Sequence, residues 1–439
     1  RRMDRLTIGF IGVGIALVLM MVRVPIAIAL GLVSLGGIII LRGAESGFGV
    51  LGSAPFDFAA SWTLSAIPMY LLMGAFAYHA RITSALFDAA RVWFGRLPGG
   101  VAVATNFACA GFAAVSGSSL ATAAAMGRIA IPEMLRLNYN PGLAAAAAAA
   151  GGTLGALIPP SIMLVIFGWL AEVSVGRLLM GGVVPGILTA VVYAGMIVLR
   201  CTVNPSLAPR MEERPTWGDR MRVLAPVWPV PVLVIAVLVG IYGGIVTPTE
   251  AGAFGAFVVF IMALARRSLS WTSFYHSLRE ALISTSGIFF IAISAIIFTR
   301  FLTLSGLPNF LSQFVSGSGL EPLTIVLITS VIYLVLGMFL DPLGILLITL
   351  PILIPVFKAA DIDLIWMGII LIKYIEIGLL TPPVGLNVFV VKSVVGDRIP
   401  IMQIFGGMVW FLFAEVIIMT LLISFPALVL TLPNLMMGS

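Results

Sequence analysis

The sequence predicts an all-α polytopic membrane protein made of two inverted-topology repeats, each with about five transmembrane helices plus a re-entrant helical hairpin. Three observations lead there. Of 439 residues, 61% are hydrophobic and only 10% charged, and the mean hydropathy is +1.16, outside the range of soluble domains. Apolar runs of about 17 to 25 residues recur from end to end, the length an α-helix needs to cross about 30 Å of hydrocarbon. A displacement of 223 residues also superposes the oddest features: Pro25 on Pro248, Pro132 on Pro355, Pro159-Pro160 on Pro382-Pro383, Gly155 on Gly378 and Leu157 on Leu380. One offset holding several prolines over so long a stretch marks an internal duplication.

In the first repeat, residues 1–203, spans fall at Leu6–Val22, Val24–Leu41 and Ala66–Ala80. The segment ITSALFDAARVWFGR then carries Ile82, Leu86, Ala89 and Trp93 at helical spacing with Asp88, Arg91 and Arg96 between them, the pattern of a helix lying along the membrane surface. The piece at 98–136 is apolar but cut at Ser116–Ser119, SGSS. Each leg of about 17 residues rises roughly 26 Å, so by length it is either two spans or a re-entrant hairpin. A broken span at 141–170 and a last one at Arg177–Leu199 complete this half.

The linker at 204–228 mixes prolines with charges, and after it residues 229–439 repeat the series. Its spans are Val230–Val246, Pro248–Ala265 and Ile283–Leu304, followed by an arm helix at 306–316, a hairpin at 321–358 cut at LDPLG, a broken span at 364–395 and a final span. Two crossings or none at the hairpin both leave an odd number of spans per half. The second half therefore enters the membrane from the opposite side, which inverts the repeats. One side of this topology collects fifteen basic residues, among them Arg81, Arg96, Arg136, Arg210, Arg214 and Arg279; the other collects seven, among them Arg1, Arg2, Arg42 and Arg300. The richer side is expected to be cytoplasmic, with both termini outside.

The same charges dispose of other classes. A net charge of +6 would suit nucleic acid, but the basic residues are scattered in short connections, where they set topology. Cys109 and Cys201 fit neither metal-ligand spacing nor a disulfide framework. Arg23 and Pro25 follow the first apolar run where a cleavage site would need small residues, so a removed signal peptide is not expected. A GxxxxGK[ST] loop, an HExxH motif and a serine with a plausible base are all missing, which argues against ATP-driven transport and intramembrane hydrolysis. The chain is not read as an enzyme. A channel more often repeats one pore segment than pairs inverted broken helices.

Four interruptions stand in two symmetric pairs: AVSGSSLAT with FLDPLGILL, and GGTLGALIPPS with EIGLLTPPVGLN. Paired prolines lack donors and clash with the preceding turn, so backbone groups are left free at membrane depth, tolerated only where protein or a watery cavity satisfies them. Such breaks expose carbonyls for a cation and helix N-termini for an anion, which is what an ion-coupled carrier needs.

The runs EIGLLTPPVGLNVFV, GTLGALIPPS, GIVTPTEAGAFGA at Gly244–Ala256, and LDPLGILLITLPILIP resemble the large membrane subunit of tripartite ATP-independent periplasmic (TRAP) transporters, the DctM-like family, over essentially the whole chain. The resemblance implies an elevator-type sodium symporter of the ion-transporter superfamily, in a bacterial cell inner membrane, importing organic acids such as C4-dicarboxylates or sialic acid. It implies two partners, a small four-helix membrane subunit and a periplasmic substrate-binding protein. Hairpins and broken spans would move, and the other spans would form a scaffold. Co-transported sodium is implied near Ser116, Gly117, Gly151, Gly152, Thr153 and Pro159 in one half and Leu340, Asp341, Gly378, Leu379 and Thr381 in the other. Substrate is implied near Ser118, Ser119, Thr122, Pro160, Asp341, Pro383 and Asn387. The alternative is a stand-alone ion-coupled anion permease of the citrate, dicarboxylate or arsenite type, needing no binding protein.

Some residues carry competing readings. Lys373 and Glu376, three apart on one helix face, either neutralise each other or order the unwound segment and attract carboxylates. Asp341 either forms a turn before Pro342 or meets an ion, and Asn387 either caps a half-helix or meets substrate. Arg128, in AMGRIAIP, departs from the family pattern and reads as a lipid-facing arginine reaching for a headgroup, with substrate and Glu133 as the other candidates. His79 and His276 are assigned no chemistry.

Overall fold

The computed structural model describes residues 4–209 and 215–436, so Arg1, Arg2, Arg210 and Arg214 of the charge asymmetry lie outside the described residues. Among the described residues all regular structure is helical. Five helices are long and apolar enough to cross a membrane, and a bent pair, Ala44–Ala59 with Trp62–His79, makes a sixth candidate, its parts meeting at 59°.

The 223-residue offset extends to the caps. The second legs of the two hairpins, Ser119–Arg136 and Pro342–Ala359, are capped by Ser118, accepting from Ala121 N at 3.4 Å, and by Asp341, accepting from Gly344 N at 3.2 Å. The broken spans open at Pro141–Gly152 and Leu364–Gly378. Asn140 accepts there from Gly142 N (2.9 Å) and Leu143 N (3.2 Å), and Asp363 from Ile365 N (2.8 Å) and Trp366 N (2.9 Å). The residue two before each of these caps, Asn138 or Asp361, takes a positive φ of 58° or 55°, a conformation Asn and Asp tolerate best among non-glycines. Each cap supplies backbone N–H groups that membrane interior would otherwise leave bare.

Each hairpin is two helices with a sharp tip: Gly100–Ser116 turns at Gly117 (φ 62°) into Ser119–Arg136, and Pro322–Gly337 turns into Pro342–Ala359. The first broken span continues through the 3-10 turn Thr153–Ala156 to Ile162–Leu170, and the second resumes at Leu386–Val395. The Pro159-Pro160 and Pro382-Pro383 bonds, one in each break, are both cis. Ala144–Ala150 is wholly buried, and its small side chains let neighbouring helices approach closely; a Cβ on Gly407 would lie 2.2 Å from Gly142 O.

Three elements depart from expectation. Ala44–Ala59 is a helix, although Gly47, Gly49, Gly52 and Pro55 argue against one; it packs on Ile26–Arg42 with Gly47 against Ile39, and tertiary contact overrides weak propensity. The span expected at Ile283–Leu304 is the end of a 35-residue helix, Trp271–Ser305, whose polar start reads as a loop by hydropathy. Ala427–Leu435 is a further short helix after the final span, Ile401–Ser424. The expected surface helix is present at Ile82–Phe94 with Ile82, Leu86 and Ala89 buried. Trp93 on that helix meets Trp217 of the linker helix Trp217–Leu224 edge to face at 6.0 Å.

Candidate functional site

Each hairpin tip sits against the break of the broken span in its own half. In the first half, Ile162 N donates to Gly117 O (3.3 Å), a Cβ on Gly117 would lie 2.6 Å from Pro160 O, and a Cβ on Gly155 would lie 2.5 Å from Ser118 O. The glycines are needed because the hairpin and the break touch backbone to backbone. Ser116 and Thr122 share a 2.9 Å hydrogen bond between hydroxyls, and Thr122 Oγ1 also donates to Ser118 O at 2.7 Å. Ser116, Gly117, Ser118, Thr122 and Pro160 are thus brought together. Gly152 packs on Ser119 O, whereas Gly151 turns its Cα toward Cys109 Sγ and Thr153 Oγ1 donates to Ala150 O (2.6 Å).

In the second half the contact runs through Gly337 of the hairpin and Gly378 of the break, where a Cβ on Gly378 would lie 2.5 Å from Gly337 Cα. Gly385 has φ 63°, and a Cβ there would lie 3.3 Å from both Leu379 O and Thr381 O. Those two carbonyls therefore converge on a spot that only glycine leaves uncovered. Carbonyl oxygens gathered in this way are the donors a hard cation such as sodium takes. Thr381 Oγ1 donates to Ile377 O at 2.7 Å, which leaves its lone pairs for an ion. Asp341 takes the turn-forming role as the hairpin cap, and Leu340 is buried beside it. Pro383 is exposed while its counterpart Pro160 is buried, so the two breaks are not in the same environment.

The halves meet through buried polar groups. Ser119 Oγ donates to Glu376 Oε1 (3.1 Å), and Asn387 Nδ2 donates to Ala149 O (3.3 Å). Asn387 is fully buried and caps nothing; its role is to tie the second broken span to the first. Lys373 does not neutralise Glu376. Its Nζ lies 2.6 Å from Glu415 Oε1 on the final span, the same oxygen that receives the hydroxyl of Tyr193, and all three residues are buried. Sequence reading missed Glu415, whose signal was a lone carboxylate inside an apolar span.

A cavity of about 400 Å³ opens beside the first hairpin tip, bounded by Ser116, Ser118 and Arg128 on the hairpin and by Tyr78, His79 and Glu280 across from it. Arg128 is therefore not a lipid-facing residue. Ala121, Ala124, Ala125 and Arg128 share one face of the second leg, and a helical side chain leans toward the N-terminus, which carries the guanidinium toward the tip. It donates to Tyr78 Oη (3.1 Å), and among the described residues no acidic partner is within ion-pair distance. Glu133 is held instead by Arg91 (2.8 Å) and Arg136 (2.7 Å). His79, assigned no chemistry from sequence, lies 3.1 Å from Glu280 and neutralises part of the far wall when protonated.

Residues 13–428 match the family described as the tripartite ATP-independent periplasmic transporter, DctM component. The C4-dicarboxylate TRAP transporter large permease protein DctM of Pseudomonas aeruginosa is 36% identical over 381 residues, covering 86% of this chain and 88% of that protein. The isethionate TRAP transporter permease protein DctMQ of Oleidesulfovibrio alaskensis is 34% identical over 369 residues, 79% of this chain and 56% of that protein. In fold the chain is similar to the crystal structure of the YdaH transporter of Alcanivorax borkumensis, with a TM-score of 0.65 at 14% identity, covering 88% and 89% of the two chains. With matching element order, paired breaks and near-complete coverage, this chain belongs to the DctM family of TRAP transporter large permeases, multi-pass membrane proteins that transport and do not catalyse.

Proposed function

We propose that the chain is the transport subunit of a sodium-coupled symporter that imports an organic acid delivered by a periplasmic binding protein, alongside a small four-helix membrane subunit. It would sit in the bacterial inner membrane with both termini periplasmic, and the hairpins and broken spans would carry ion and substrate across by an elevator movement. The observation that carries this reading is the paired contact of each hairpin tip with a break, where glycine leaves carbonyl oxygens uncovered beside a cavity holding Arg128. Carbonyls favour the cation, and the guanidinium favours a carboxylate. Relatives named for C4-dicarboxylates and for isethionate have nearly equal identity, so identity alone does not select the acid.

The test is uptake of a labelled C4-dicarboxylate into proteoliposomes holding the chain and its membrane partner, with and without the binding protein and an inward sodium gradient. Uptake is expected only when both are supplied. Gradient-independent uptake would remove the coupling, and full uptake without the soluble partner would make the chain a stand-alone permease.

A further inference from the structure

Glu376 is completely buried, on the half-helix that leads into the second break. Its Oε1 receives Ser119 Oγ, and its Oε2 has no hydrogen-bond partner. The charges it feels are Lys373 and Glu415, and Lys373 is already paired with Glu415 at 2.6 Å. This sealed group of three therefore sums to one negative charge when both carboxylates are ionised. An unpaired carboxylate is among the costliest things to bury, and burial is tolerated when a cation stands beside it.

A second uncommitted oxygen belongs to the same neighbourhood. Asn387 Oδ1 is buried without a partner, while its backbone N donates to Leu379 O, one turn beyond Glu376, and its Nδ2 donates to Ala149 O. Ala149 lies one turn before Gly152, whose backbone packs on Ser119. Glu376, Ser119 and Asn387 are thus tied into one cluster across the two halves. At the position 223 residues before Glu376 stands Thr153, which is neutral and bonded to its own helix, so the repeat does not supply this charge twice.

We propose that Glu376, Ser119 and Asn387 form a buried sodium site at the contact between the halves, separate from the carbonyl cradles at the hairpin tips. All three side chains present oxygen, the set a hard monovalent cation takes. Ser119 begins the hairpin leg whose preceding residues, Ser116 and Ser118, line the cavity, so a cation held at Glu376 also fixes the substrate-facing tip. Resting on the proposed elevator movement, this site has a second effect: a bound cation brings the buried charge to zero before the moving element crosses the low-dielectric interior.

The test is equilibrium binding of 22Na+ to the purified full-length chain with its membrane partner, for wild type and Glu376→Gln, which keeps an oxygen for Ser119 and removes the charge. The variant is expected to bind one sodium fewer, or to bind it at least about tenfold more weakly. Wild-type site number and affinity in Glu376→Gln would overturn the site. If that variant does not fold, Ser119→Ala carries the test: several-fold weaker sodium binding supports the site, and unchanged affinity overturns it. Wild-type uptake without sodium dependence would count against the transport reading alone, because binding is measured without transport.

Discussion

At the scale of single residues, Arg128 is the side chain whose position most directly bears on substrate choice. Its neighbours on the cavity wall are alanines and serines, so a substrate anion entering from the tip meets little bulk before the guanidinium. The hydrogen bond to Tyr78 holds the head in place and uses one of five N–H donors. A carboxylate can then be gripped by a planar fork that lysine cannot reproduce. Arg128→Ala is expected to raise the KM for the acid about tenfold or more, since hydrogen bonds to charged groups contribute about 1.5–3 kcal/mol. Arg128→Lys should recover part of this. Uptake kinetics in proteoliposomes at equal protein amount measure it, and an unchanged KM in both variants would place the arginine outside the substrate path.

The next scale is the contact between a hairpin and a broken span, where backbones touch and side chains are excluded. Gly378 and Gly337 show the constraint most sharply, because a methyl on Gly378 would have to occupy the space of the Gly337 backbone. Backbone cannot rotate away as a long side chain can, so Gly378→Ala should push the hairpin off the break, at a cost of about 1–3 kcal/mol from overpacking. Both a lower thermal midpoint and loss of uptake are expected; a variant normal in both would show that the leg and break do not close on each other. This contact was legible in the sequence only as a coincidence of glycines and prolines 223 residues apart. The breaks, the hairpins and the surface helix at Ile82–Phe94 were readable because proline, glycine and amphipathic spacing are local signals. Ala44–Ala59 and the start of Trp271–Ser305 were not, since glycine and polar residues there are overruled by contacts made far along the chain. The site divides in the same way. Ser116, Gly117, Ser118, Pro160 and Thr381 lie in quoted motifs, whereas the partners of Lys373, Arg128 and His79 come from other helices and depend on packing that no spacing rule reveals.

Across the whole molecule, the two halves are joined at depth by Tyr193 of Val175–Val203, Lys373 of the second broken span and Glu415 of Ile401–Ser424. Lys373 Nζ also lies 5.8 Å from the Tyr193 ring centroid, so the ammonium is held by a carboxylate and an aromatic face. With side-chain exposures of 0% and 2%, the pair has no water to fall back on when one member is removed. Breaking such a pair leaves a lone buried charge and costs about 3–5 kcal/mol, while replacing both members with apolar groups of similar volume is often neutral or stabilising. Lys373→Met alone is therefore expected to lower thermal stability strongly, and Lys373→Met with Glu415→Leu to recover most of the loss, a non-additivity readable in a double-mutant cycle on the detergent-solubilised protein. If the double variant instead loses as much as the sum of the single changes, the pair does not act as a unit. Recovery of stability without recovery of uptake would separate the two roles of the charges: the fold would tolerate an apolar joint between the halves, and transport would require the ionic one.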